Sequence, residues 1–130
     1  MIVLDASVVF DLVVGTPEAR TIEASLFETR KTWHVPHVLD LEVAHALRRH
    51  VAIGSLTSDR AERALEDLQL LQLQRYPHDL LLPRIWQLRH NATAYDAAYL
   101  ALAEALSATL YTRDARLASS PGHRAVIKLF

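Results

Sequence analysis

The sequence predicts an α/β fold in which a short, mostly parallel sheet is flanked by helices. Short apolar runs, beginning with Ile2-Val3-Leu4, alternate with helical patterns along the chain, and this alternation is typical of parallel sheets. The chain has 130 residues, of which 51% are hydrophobic and 22% are charged. That length suits one hydrophobic core better than two, so we expect a single domain over residues 1–130.

Five strands and seven helices are predicted. The strands cover residues 2–4, 32–35, 71–75, 109–112 and 126–129. The helices cover residues 7–14, 16–30, 38–53, 57 onwards, 80–90, 93–106 and 114–118. Thr16-Pro17 and Thr57 or Ser58 are typical of helix starts, whereas Gly15 and Gly54 are typical of helix ends. The expected buried faces of the third and fourth helices consist of Leu39, Val43, Ala46, Leu47, Ala61, Ala64, Leu65 and Leu68.

Composition excludes several classes of protein. Fourteen basic residues stand against fifteen acidic ones, giving a net charge of −1, so bulk charge does not hold this chain on nucleic acid. The sequence contains no cysteine, which excludes disulfides and thiolate metal sites and suits a reducing cytoplasm. We also expect no signal peptide and no membrane span, because charged residues interrupt every apolar run.

Two aspartates follow predicted strands. Asp5 comes directly after the first strand, and Asp114 comes two residues after the strand that ends at Thr112. Sites in open α/β sheets form beyond the carboxyl ends of the strands, so both carboxylates are expected at one edge. Each aspartate could instead simply cap the helix that follows it.

Two further acids lie on predicted helices. Asp96 is the third helical residue after Thr93, which fits a capping box as well as a site at the same edge of the sheet. Glu42 borders the apolar stripe of its helix. A buried glutamate requires a partner or a metal, although pairing with Arg49 or simple exposure would also account for it.

Other common chemistries lack their sequence motifs. The chain has no HExxH zinc motif, no glycine-rich phosphate loop and no GxSxG nucleophile motif. The start at Asp5-Ala-Ser7 lacks the second aspartate that an Asp-x-Asp phosphatase requires. Tyr95, Tyr99, Trp33 and Trp86 are interpreted as core or partly buried packing residues. The run Arg48-Arg49-His50 is interpreted as a solvated helix face, with phosphate contact as the minority alternative.

At these acids the chain resembles the PIN-domain family, and especially the VapC-type toxins of bacterial type II toxin–antitoxin systems. Four segments carry the resemblance over essentially the full length, and each contains one of the four acids. They are MIVLDASVVFDLV, residues 36–49, TAYDAAY at 93–99 and LYTRDARL at 110–117. Some PIN domains carry a further acid after the fourth motif, but Ala115 and Arg116 follow Asp114 here, so the resemblance does not supply a complete second metal site.

The resemblance implies a PIN-like three-layer fold and an endoribonuclease that depends on Mg²⁺, or on Mn²⁺ in its place. It also implies an RNA substrate such as tRNA or rRNA, a VapB-type antitoxin that blocks the site, and a homodimer. The implied catalytic residues are Asp5, Glu42, Asp96 and Asp114, of which Asp5, Asp96 and Asp114 would bind the metal. Ser7 and Thr112 would support these ligands by hydrogen bonding. Candidates for RNA contacts are Arg84, Arg89, Arg113 and Arg116.

Two alternatives stay open at the level of sequence. A PIN-domain nuclease of RNA processing would use the same chemistry without arresting growth. A non-catalytic α/β binding module would keep the four acids only as caps and surface charges, and would show no divalent-metal site.

Overall fold

A computed structural model describes all 130 residues and contains one five-stranded sheet in which every strand pairing is parallel. The strands are β1 (Ile2–Leu4), β2 (Trp33–Pro36), β3 (Leu73–Tyr76), β4 (Thr109–Thr112) and β5 (Ile127–Leu129). The helices are α1 (Ala6–Val14), α2 (Ala19–Thr29), α3 (Val38–Ala52), α4 (Ser58–Leu70), α5 (Leu82–Gln87), α6 (Ala94–Leu106) and α7 (Ala115–Ser119). The predicted fold class, a mostly parallel sheet flanked by helices, is confirmed.

The strand order, β3-β2-β1-β4-β5, places β1 at the centre of the sheet. All three residues of β1 are buried, as expected for a strand covered on both faces. Ile2 pairs with Trp33 of β2 and with Thr109 of β4. The chain therefore builds outward through β2 and β3 and then returns to the other side of β1. This reversal creates a crevice at the carboxyl ends of β1 and β4.

Helix α6 packs against β1, β2 and β4, whereas α1 packs against α2, α3, α4 and β4. Seven consecutive residues of α6, Ala97 to Ala103, are buried. Four of the seven are alanines, and these small side chains let the helix lie close to the sheet. None of the helices combines the length with the apolar character that crossing a membrane requires.

Differences from the predicted elements concern their ends. Helix α5 covers Leu82–Gln87 rather than 80–90, with Pro83 in its first turn, where proline's missing N–H does no harm. Helix α2 begins at Ala19 because Thr16 and Pro17 belong to the preceding turn. Leu65 was expected on the buried face of α4 but is 37% exposed, since α4 buries only Ala61, Ala64 and Leu68.

Candidate active site

The four predicted acids line one cleft at the carboxyl edge of the sheet, with a volume of about 1040 Å³. Asp5 follows β1, and Asp114 lies just beyond β4. Glu42 extends from α3 and Asp96 from the first turn of α6. Tertiary packing thus brings together residues that are up to 109 positions apart in the sequence.

Asp5 is the most deeply held of the four, with only 6% of its surface exposed. Its Oδ2 accepts hydrogen bonds from Ser7 Oγ at 2.5 Å and from Thr112 Oγ1 at 2.9 Å. Asp5 is also the N-cap of α1, where the same Oδ2 accepts a longer hydrogen bond, of 3.4 Å, from the Ser7 N–H. Burial raises the pKa of Asp5, and these hydrogen bonds oppose the rise. Both side-chain hydroxyls thus bind the same carboxylate oxygen, Oδ2.

The two hydroxyls that bind Asp5 also hold the turn after β4. Ser7 Oγ accepts the N–H of Arg113 at 3.0 Å, and Thr112 Oγ1 accepts the N–H of Asp114 at 2.9 Å. Each hydroxyl therefore donates to Asp5 and accepts from the backbone beside Asp114. This network fixes the position of one carboxylate relative to the chain that carries another.

Glu42 is half-buried and has a tyrosine as its partner. Tyr99 Oη donates to Glu42 Oε2 at 2.5 Å. Burial raises the pKa of Glu42, the Tyr99 hydrogen bond opposes that rise, and the charges of Asp5 and Asp96 add to it. The alternative pairing with Arg49 is not present.

Tyr99 was predicted only as a packing residue, so sequence reasoning missed this contact. Tyr99 is fully buried, and its ring does pack in the core, but its hydroxyl reaches the cleft acid Glu42. The available signal was its position three residues after Asp96, which places both side chains on one face of α6.

Asp114 caps α7 and lines the cleft at the same time, whereas Asp96 lines the cleft from the first turn of α6, which Thr93 caps. Thr93 Oγ1 accepts the N–H of Asp96 at 3.1 Å, and Asp114 Oδ1 accepts the N–H groups of Arg116 at 2.8 Å and Leu117 at 3.3 Å. Burial raises the pKa of Asp96, and the charges of Asp5 and Asp114 raise it further. Capping and participation in the cleft are therefore compatible for Asp114.

The donor chemistry of the cleft fits a hard divalent cation. Asp5, Glu42 and Asp96 form no ion pair with any basic residue, and each keeps at least one oxygen without a hydrogen bond. No three histidine or acidic side chains of the chain lie close enough together to hold an ion directly. The fit therefore rests on donor type, because all-oxygen donors suit Mg²⁺, an ion that usually keeps several of its waters.

Two of the four predicted RNA contacts lie at the cleft or beside it. Arg113 lines the cleft, but its Nη1 is paired with Asp11 at 2.6 Å and lies 3.6 Å from Glu18. The Arg116 side chain is 95% exposed and has its Nε 3.9 Å from Asp114 Oδ1. Arg113 is thus committed largely to the protein, whereas Arg116 is free to move.

Arg84 and Arg89 are not among the residues that line the cleft. Arg84 Nε and Nη2 bind the two carboxylate oxygens of Glu104 at 2.7 and 3.0 Å. The Arg89 guanidinium lies over the ring of Trp86, 4.7 Å from its centre. The structure therefore does not bring these two arginines together with the four acids.

Several cleft residues were not predicted as candidates. Beyond Glu42, α3 contributes His45, Arg49 and His50 to the lining, and Tyr95 lines it from the start of α6. His45 and Arg49 follow Glu42 by three and seven residues, a spacing that repeats on one helix face. That spacing would have identified them once Glu42 had been assigned to the site.

Comparison with known proteins agrees with this architecture. A family model described as the PIN domain matches residues 2–122. Ribonuclease VapC1 of Mycobacterium tuberculosis is 44% identical over 128 residues, which cover 98% of this chain and 96% of that protein. Ribonuclease VapC12 of the same organism is 37% identical over 129 residues, which cover 99% of this chain and 98% of that protein.

Solved structures show the same fold at low sequence identity. VapBC2 from Rickettsia felis, bound to a DNA fragment from its promoter, gives a TM-score of 0.70 at 16% identity and covers 99% of this chain and 98% of that chain. VapC20 of Mycobacterium tuberculosis, described as a toxin that cleaves the sarcin–ricin loop, gives a TM-score of 0.69 at 17% identity and covers 93% of this chain and 100% of that chain. Because the family match and the relatives both extend over nearly the whole sequence, the chain belongs to the PIN-domain family as a VapC-type toxin.

Proposed function

We propose that this chain, as a single PIN domain over residues 1–130, is a metal-dependent endoribonuclease that hydrolyses phosphodiester bonds in RNA. The observation that carries the proposal is the cleft of four carboxylates, three of which have a raised pKa and no basic partner. Burial and mutual repulsion favour the protonated forms of such acids, and a bound cation would favour their ionised forms. The names of the relatives, which are ribonucleases, support the same activity.

Asp5 and Asp96 are the principal metal ligands in this proposal, and Asp114 binds directly or through a water. Mg²⁺ suits an all-oxygen site, and Mn²⁺ accepts the same donors. A divalent ion held there supplies a water of lowered pKa and neutralises charge on the phosphate oxygens. Asp114 can contribute through Oδ2, because its Oδ1 is occupied as the cap of α7.

Glu42 acts on the attacking water. Tyr99 fixes Glu42 Oε2, which leaves Oε1 to accept a hydrogen bond from that water and hold it against the phosphorus. Ser7 and Thr112 keep Asp5 oriented through Oδ2. The protein thereby preorganises the acids before substrate arrives.

RNA contacts are assigned to Arg113 and Arg116 beside the cleft and to Arg84 and Arg89 at a distance from it. Arg116 has the most freedom to reach a phosphate, because its side chain is 95% exposed. Arg84 would first have to leave its ion pair with Glu104, so its contribution to RNA binding is expected to be the weakest. Substrates with single-stranded loops, such as tRNA or rRNA, fit an open cleft of this size.

A VapB-type antitoxin that covers the cleft, a homodimer and a cytoplasmic location complete the proposal. The Rickettsia felis neighbour is a VapBC complex bound to promoter DNA, which supports an antitoxin partner. Exposed apolar side chains on and beside α5, including Leu80 and Trp86, offer surface that a partner or a second copy could cover.

The test is RNA cleavage by the purified wild-type protein and the Asp96→Asn variant, each with Mg²⁺, with Mn²⁺ or with EDTA. We expect cleavage only with metal and a loss of at least about 100-fold in the variant, the scale of removing one group that stabilises transition-state charge.

Asp59→Asn is the matched control, because Asp59 is also an acid in the first turn of a helix capped by threonine but lies outside the cleft. This variant should cleave like the wild type. Cleavage in EDTA, or equal activity of all three proteins, would contradict the proposed function. Absence of cleavage together with calorimetry showing no divalent binding would favour a non-catalytic module.

A further inference from the structure

The cleft extends well beyond the four acids along helix α3. One stripe of this helix, which we call the α3 stripe and define as Glu42, His45 and Arg49, lines it continuously. The seven residues from Glu42 to Arg49 correspond to an axial rise of about 10 Å. The far end of the stripe therefore lies outside the reach of an ion at the carboxylates but still within the same cleft.

Arg49 is a cation in the cleft that the protein leaves unneutralised. Arg113, which also lines the cleft, is paired with Asp11 and Glu18. Arg49 forms no ion pair and no side-chain hydrogen bond with any residue of the chain, and its side chain is exposed. His45, one turn closer to Glu42, is likewise exposed and unpaired.

The same cleft is also lined by aromatic rings. Phe10 and His50, both in the cleft lining, stack with their ring centres 4.9 Å apart. Tyr95 lines the cleft from α6 and is 61% exposed. Proteins that bind single-stranded nucleic acid combine a cationic groove for the phosphates with aromatic rings for the bases, and this cleft holds both an unpaired cation and the largely exposed ring of Tyr95.

We propose that Arg49, assisted by His45, binds a backbone phosphate of the RNA strand next to the phosphodiester that is cut. This inference rests on the proposed function and extends it to the path of the substrate. The acids repel the phosphates of an approaching strand, so a cation beyond them is needed to guide it. The α3 stripe provides that cation on the same helix as Glu42, which fixes the spacing between the bound and the reacting phosphates.

The experiment measures the salt dependence of RNA binding, with a fluorescein-labelled RNA stem-loop as the probe and Mg²⁺ present. All variants carry Asp96→Asn so that the probe is not cut. Arg49→Gln is compared with Arg48→Gln, the adjacent exposed arginine outside the cleft lining, and with Arg49→Lys, which keeps the charge. Thermal unfolding establishes that all of these proteins are folded.

We expect Arg49→Gln to weaken binding several-fold at low salt and to reduce the slope of log K against log[salt] by about 0.7, the value for one phosphate contact on a single strand. Arg48→Gln should leave the slope unchanged, and Arg49→Lys should restore it. Equal slopes for the Arg48 and Arg49 variants overturn the assignment, as does a failure of the Asp96→Asn protein to bind RNA at all.

Failure of the Arg49 proposal can be distinguished from failure of the proposed nuclease function. Metal-dependent cleavage by the wild type together with equal slopes would retain the nuclease and remove the Arg49 site. A loss of binding to a co-expressed antitoxin, with the RNA slope unchanged, would assign the α3 stripe to a protein partner and also overturn the proposal.

Discussion

The two ends of helix α6 carry carboxylates whose environments shift the pKa in opposite directions. At the amino end, burial and the charges of Asp5 and Asp114 raise the pKa of Asp96. At the carboxyl end, hydrogen bonds from Arg84 lower the pKa of Glu104. The helix dipole by itself would favour the opposite order, because it stabilises negative charge at the amino end. Burial with neighbouring charges at the amino end, and hydrogen bonds from Arg84 at the carboxyl end, therefore set the direction of each pKa shift.

The acids of the chain also differ in whether an arginine neutralises them. Three acids outside the proposed metal-binding set each have an arginine within 3 Å, in the pairs Glu104–Arg84, Asp40–Arg75 and Asp11–Arg113. Asp5, Glu42 and Asp96 have none. Because Asp5, Glu42 and Asp96 are at least half-buried and lie in one cleft, we infer that a bound cation takes the place of the missing arginine.

The largest effect on stability is expected at the carboxyl end of α6. Glu104→Gln removes the charge that Arg84 binds through two hydrogen bonds and weakens the bond that the N–H of Arg124 donates to Glu104 Oε1. We expect the free energy of unfolding to fall by about 2 kcal/mol, the scale of hydrogen bonds to charged groups, as measured by urea denaturation. Glu66→Gln, at an exposed and unpaired glutamate on α4, should change it little. If Glu104→Gln left the free energy of unfolding unchanged, the structural role of the Glu104–Arg84 pair would be contradicted.

An intermediate effect is expected one turn along α6 from Asp96. Tyr99→Phe removes only the hydroxyl that donates to Glu42, which should lower the free energy of unfolding by about 1 kcal/mol. Because that hydrogen bond opposes the rise in the pKa of Glu42, its loss should also move the acidic limb of the pH–cleavage profile to higher pH. An unchanged profile would remove Glu42 from the reaction. Tyr95→Phe, at a largely exposed ring, serves as the control for stability alone.

The smallest effect on the free energy of unfolding is expected for Asp96→Asn, at the amino end of α6. Unlike the two changes above, this one should stabilise the protein. The pKa of Asp96 is raised in the folded state, so folding favours its protonated form. The protonated carboxyl of Asp96 therefore contributes fully to the free energy of unfolding below the ordinary pKa of 3.8. That contribution is lost as the pH rises through the raised pKa of the folded state. In EDTA at neutral pH, Asp96→Asn should therefore stabilise the protein by roughly 0.5 kcal/mol, the scale of a like-charge pair.

Thermal unfolding against pH measures this difference, which should vanish in acid. Saturating Mg²⁺ should reverse it, because an ion that binds only the folded state stabilises the wild type more than the variant. A destabilised Asp96→Asn protein in EDTA would mean that capping outweighs repulsion at this end of the helix, and would break the comparison between the two ends.

The sequence by itself determined the elements and the identity of the acids in the cleft. Short apolar strands, helix caps such as Thr93 and the positions of Asp5 and Asp114 after strands are local features, governed by interactions within a few residues. Strand β4, for example, covers Thr109–Thr112 as predicted. The family motifs then indicated which acids belong together.

Only the tertiary structure decided which side chains these acids contact and which of the predicted arginines lie near them. The hydrogen bond from Tyr99 to Glu42 joins residues 57 positions apart, and Thr112 reaches Asp5 across 107 positions. Arg84 is committed to Glu104, whereas Arg49 is left unpaired at the edge of the cleft. No local pattern encodes such pairings, because they depend on how α3 and α6 pack around the sheet rather than on the spacing within either helix.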